Sequence, residues 1–128
     1  MKYLSRRCME FRFSYALCLD EKTYKAELRR LKIFNYDDMI KNAWSSATVH
    51  KISKDDGTSI ALVCLGSDIK KIELEQVYAL LVHEAVHLWQ WHCELIGEHE
   101  PSCEFEAYGI QALSQELMFA YKKATKKK

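Results

Sequence analysis

The sequence predicts a small α+β domain, a short antiparallel sheet with helices packed on it. Three observations carry this: a β-rich hairpin pattern over about 47–65, a helical apolar pattern over about 72–96, and a second helical pattern over about 102–123. The chain has 128 residues, 48% hydrophobic and 29% charged, with four Gly and one Pro. That is enough apolar material for one core and not for two, and it is not the composition of a disordered or collagenous chain. A single domain over 1–128 is expected, with 122–128 as a basic tail.

Phe11, Phe13 and Tyr15 alternate as a strand would, although the first nineteen residues are ambiguous as a whole. Asp20 to Ile33 reads as a helix: Asp20 can cap it, Glu21 suits its first turn, and Tyr24, Leu28 and Leu31 share a face. A short helix is expected around Tyr36 to Trp44. The hairpin pairs Ala47–Ile52 with Thr58–Leu65 across Lys54-Asp55-Asp56-Gly57, and the Asp-Gly turn is a strong hairpin cue. The second run is the more apolar and should lie deeper. Gly66-Ser67-Asp68 ends it. Gly97 closes the helix over about 72–96, and Pro101 and Ser102 open the last one, which runs to about Lys123.

Lys+Arg 19 against Asp+Glu 18 leaves a formal +1, so there is no global field to draw in nucleic acid or an acidic membrane. Lys122, Lys123, Lys126, Lys127 and Lys128 form a basic end without interleaved aromatics, which is weak evidence for nucleic-acid contact. Arg6 and Arg7 would suit the start of a targeting signal, but Glu10 and Arg12 interrupt the apolar stretch that should follow. The apolar run Val77–Val82 is too short to span a bilayer. Cys8, Cys18, Cys64, Cys93 and Cys103 lack framework spacing, and free thiols in a reducing cytoplasm are expected.

The helix over about 72–96 is apolar on most of its circumference, with Val77, Leu81, Leu88, Trp91 and Leu95 in one row, as a buried helix should be. A polar line crosses it: His83, Glu84, His87 and Gln90. Polar groups in a buried helix need partners. His83-Glu84-Ala85-Val86-His87 is an HExxH motif. Its imidazoles at i and i+4 can reach one ion, and neutral imidazole suits zinc. Glu84, one step round, can take a proton from a water on that ion. The competing reading is a pair of core histidines with Glu84 as their counter-ion.

Catalytic zinc needs a third protein ligand and an open fourth position. Cys93, Glu98, His99, Glu100, Cys103, Glu104 and Glu106 are candidates, but those up to Glu100 would need a tight reversal of the chain. The last helix can return antiparallel and present Glu104 or Glu106, which two helical steps turn about 200° apart. Periodicity leans to Glu106, whose stripe continues through Ile110, Leu113 and Leu117. Small Ala107, close after Glu104, favours a near approach there.

HExxH followed by Glu104-Phe105-Glu106-Ala107-Tyr108 resembles the two-helix signature of gluzincin-type zinc metallopeptidases, distantly that of ImmA-type phage peptidases and CAAX-prenyl endopeptidases. The wider run from Leu81 to Gln111 is similar to small phage and prophage proteins described as metallopeptidases. The resemblance covers the last third of the chain strongly and the hairpin loosely. It implies a minimal zincin-like domain and a peptidase of a bacterial cytoplasm, with Zn2+ held by His83, His87 and Glu104, and Glu106 as the alternative. Tyr108 departs from the Asp or Asn common there, leaving the partners of the metal histidines unassigned.

The function expected is hydrolysis of peptide bonds in a peptide or protein substrate, with Glu84 as general base. The hairpin strand Ile60–Leu65, if it is the edge beside the site, would add an extended substrate as a further strand. The alternative is a non-catalytic, zinc-stabilised phage or prophage protein that binds a partner, since a chain this short has little room for a second lobe. A mixed Cys and His structural site lacks the usual CxxC pair, and burial as small hydrophobes is the default for the cysteines. His50, His92, His99, Tyr108 and Tyr121 are weighed as transition-state donors against ordinary packing or surface roles. Trp89 and Trp91 are expected in the core.

Overall fold

In the computed structural model, residues 1–4, 9–41 and 45–126 are described. They form β1 (Ser14–Cys18), α1 (Glu21–Arg30), β2 (Ala47–Ser53), β3 (Ser59–Leu65), a 3-10 turn (Ser67–Lys71), α2 (Leu74–Ile96) and α3 (Cys103–Ala124). The domain is α+β, with the strands in the order β1-β3-β2. β2 and β3 pair antiparallel as the hairpin pattern predicts, from Ala47↔Leu65 to Ser53↔Ser59. Gly57 stands at φ 88° in the turn, a conformation that L side chains resist. β1 adds to β3 in parallel, Ser14↔Ile60 to Cys18↔Cys64, so the sheet is mixed and not purely antiparallel. The chain passes from β1 to β3 through α1 and then β2, a connection long enough for a parallel pair.

β3 is central and buried on both faces, as its unbroken apolar run implies. Ala61, Val63 and Leu65 belong to the core shared with α2 and α3, while Ile60, Leu62 and Cys64 belong to the core shared with α1. The sheet thus separates α1 from the α2–α3 pair. Phe11, Phe13 and Tyr15 are all buried, although the strand itself begins only at Ser14.

Asp20 caps α1 by accepting from the Thr23 amide at 2.7 Å. Tyr24, Leu28 and Leu31 are buried as one face. The helix stops before Ile33 because Lys32 turns left-handed at φ 62° and the Ile33 amide reaches back to the Leu28 carbonyl. The helix expected from Tyr36 does not form over 36–41, and Asn42 to Trp44 lie outside the described residues. Tertiary partners take the backbone groups of this segment instead. Tyr24 Oη donates to the Asp37 carbonyl, His50 Nε2 meets the Met39 carbonyl, and Thr48 Oγ1 accepts from the Lys41 amide. Arg6, Arg7, Cys8, Lys127 and Lys128 also lie outside the described residues. No helix among the described residues is long and apolar enough to cross a membrane. Cys18, Cys64, Cys93 and Cys103 are free thiols.

Candidate functional site

α2 begins at a capping box. The Glu73 side chain accepts from the Gln76 amide, the Gln76 side chain from the Glu73 amide, and Gly97 ends the helix at φ 73°. Three turns in, His83 and His87 stand on the exposed side with their Nε2 atoms 3.2 Å apart. Neither is therefore a core histidine. Glu84, between them in sequence, is only 5% exposed. Burial pushes its pKa up, and the two histidines pull it back down more weakly. Of its helical row, Val77, Leu81, Leu88 and Trp91 are buried, while Leu95 near the end of the helix is only partly so.

The histidines, Glu84, Gln90, Trp91 and Glu94 form one wall of a cleft of about 440 Å³. Ala47, Thr48, Val49 and Lys51 of β2, with Lys41 and Ser45 before it, form the other. That volume suits a small ligand or a short peptide segment. The strand beside the site is β2 and not Ile60–Leu65, because β1 and β2 flank β3 on its two sides. Among the described residues no strand pairs with the outer edge of β2. At the opposite edge the Leu4 amide donates to the Tyr15 carbonyl and Tyr3 bridges Ala16.

Two nitrogens bound to one tetrahedral zinc at about 2.05 Å stand about 3.3 Å apart. The 3.2 Å between the Nε2 atoms is close to that edge length. The third position is different. Among the described residues no three His, Cys, Asp or Glu side chains gather into a group able to hold a metal. Glu106 is committed elsewhere, accepting a hydrogen bond from Trp89 Nε1 at 3.1 Å. Trp89 lies two residues past His87, so it projects from the other side of α2. α3 packs on that side through Gly109, where a Cβ would come within 2.2 Å of the Trp89 ring. The close approach of the helices is thus at Gly109; Ala107 is exposed, and so is Glu104 in the first turn of α3.

The other histidines and tyrosines weighed as donors lie apart from the pair or are already engaged. His50 bonds the Met39 carbonyl and belongs to the α1 side of the sheet, His92 Nδ1 accepts from the Arg12 amide, and His99 is exposed in the loop before α3. Tyr121 packs edge-on against Tyr78, while Tyr108 is exposed. Trp89 and Trp91 are both in the core. The sequence reading missed the β2 wall and the partner of His87, which is Gln90, its Oε1 3.2 Å from Nδ1. The i, i+4, i+7 spacing of His83, His87 and Gln90 holds that signal.

The chain matches no family model, no curated protein and no solved structure.

Proposed function

We propose that the chain is a zinc-dependent peptidase in which His83 and His87 hold the ion and Glu84 is the general base. One observation carries the reading: two Nε2 atoms 3.2 Å apart and a buried carboxylate between them in sequence share one wall of a cleft. Zinc held there would supply a Lewis acid and a water of lowered pKa. Glu84, kept basic by burial, takes the proton from the attacking water and returns it to the leaving amine. The outer edge of β2, with which no strand pairs among the described residues, is where an extended peptide can add as a strand. Glu104 is the third ligand implied by the resemblance to gluzincins. The substrate is a peptide or protein, and the cytoplasm of a bacterium, with the gene carried by a phage or prophage, is the setting the resemblance implies.

A second reading, a zinc-stabilised protein that binds a partner without turnover, is favoured because, among the described residues, no third ligating side chain gathers with the histidine pair into a group able to hold a metal. A peptide-library digest separates the two, with wild type and Glu84→Gln compared at equal zinc content. Peptidase action predicts cleavage by wild type and a rate lower by about 10²–10⁴-fold in the variant. Zinc in both proteins with cleavage by neither would establish the binding protein instead.

A further inference from the structure

We infer that Gln90 is a positioning residue that fixes the tautomer of His87, so that Nε2 offers its lone pair toward the space shared with His83. The inference rests on the metal-site reading above. His87 touches two side chains through its two ring nitrogens: Gln90 Oε1 at Nδ1 and His83 Nε2 at Nε2, each at 3.2 Å. An amide oxygen accepts only, so the proton of a neutral His87 belongs on Nδ1. The other nitrogen is then unprotonated, the form a metal or a donor needs. The bond also fixes the ring plane, because Gln90 is three residues on and lies over the same face of α2. Gln90 is exposed and needed for no core contact, so its polarity serves the cleft and not the fold.

The bond supplies for His87 what the departure at Tyr108 leaves open, an acceptor for the second ring nitrogen. Acceptors of this kind raise ligand basicity and remove the entropy of a freely turning ring. Among the described residues His83 makes no equivalent bond through its second ring nitrogen, so the loss of Gln90 should be felt at one ligand.

The test reads the tautomer of His87 directly, from imidazole nitrogen shifts at about pH 8.5, well above the reference histidine pKa of about 6.5. It is run on chelated and on zinc-loaded protein, with the fold of each checked by circular dichroism. Wild type should show the Nδ1–H form in both. Gln90→Leu should lose that preference in the chelated protein and bind zinc about tenfold or more weakly. Gln90→Glu, which keeps an acceptor oxygen at the same reach, should restore both. An Nε2–H form in wild type, or Gln90→Leu unchanged in tautomer and affinity, or Gln90→Glu as impaired as Gln90→Leu, would overturn the inference. If wild type binds no zinc, the metal-site reading fails on its own, and the tautomer in the chelated protein still decides the role of Gln90.

Discussion

Glu27 and Glu84 are two buried helical carboxylates, 4% and 5% exposed, and their surroundings push them in opposite directions. Glu27 accepts from Arg30 Nε and Nη2 and from Tyr3 Oη, the last at 2.8 Å. The Arg30 bonds, with help from Tyr3, outweigh desolvation and hold its pKa below the ordinary range. For Glu84, desolvation outweighs the opposing pull of the two histidines, and its pKa is raised. Equal burial therefore says nothing about role; the partners decide it. A carboxylate matched by a guanidinium is a structural fastening. One buried beside a histidine pair at the wall of a cleft is available for proton transfer.

The largest expected difference between them is in turnover. On the peptidase reading, Glu84→Gln should lower peptide cleavage by about 10²–10⁴-fold while keeping its zinc, whereas Glu27→Gln should leave the rate of the folded protein unchanged. A digest with both variants at matched zinc content reads this. Equal losses in the two would erase the distinction.

Stability should reverse the order. Glu27→Gln should cost about 1–3 kcal/mol at neutral pH, because charge-assisted bonds to Arg30 and Tyr3 are lost from a buried site. Glu84→Gln in chelated protein should be neutral or stabilising, since it removes a desolvated charge. The pH profile follows from the sign of the Glu27 shift. Its folded pKa is depressed, so its contribution is fully present above the unfolded value of about 4.3 and is lost as pH falls through the folded value. Thermal melts from pH 7 downward should show the gap between wild type and Glu27→Gln closing over that acid window.

Zinc affinity gives a smaller contrast, within α3. Glu104→Gln should weaken binding about tenfold or more if Glu104 completes the ligand set, as the resemblance implies. Glu106→Gln should alter zinc binding little and stability by less than about 1 kcal/mol, because its amide oxygen can still accept from Trp89. Titration calorimetry with both variants measures this. A loss confined to Glu106→Gln would mean that α3 turns its other side to the histidines when metal binds.

The elements that were legible in the sequence are those whose signals are local. The Asp20 cap, the Asp56-Gly57 turn, Gly97 and the apolar rows of α2 are written in neighbouring residues, and each is found at its expected place. The HExxH spacing likewise sets His83 and His87 one above the other on α2, but that this pair is exposed while Glu84 is buried depends on what packs around the helix. What was not legible depends on tertiary choices. Whether β1 joins in parallel, and whether 36–41 is helical, is decided by partners distant in sequence such as Ile60, Tyr24 and His50. The side of α2 that receives α3 is set by the Trp89 ring lying on Gly109, and this draws Glu106 to Trp89. A helical stripe shows that a face is buried; it does not name the face it meets.

The central claim, that His83 and His87 form a zinc site, is tested most directly by counting metal. Purified wild type, His83→Ala and His87→Ala, expressed with ample zinc, are compared by elemental analysis with the fold checked by circular dichroism. The account predicts one zinc per chain in wild type and none held stoichiometrically by either variant, with the thermal stability gained from zinc lost in both. Wild type without metal, or either variant retaining a full zinc, would contradict it.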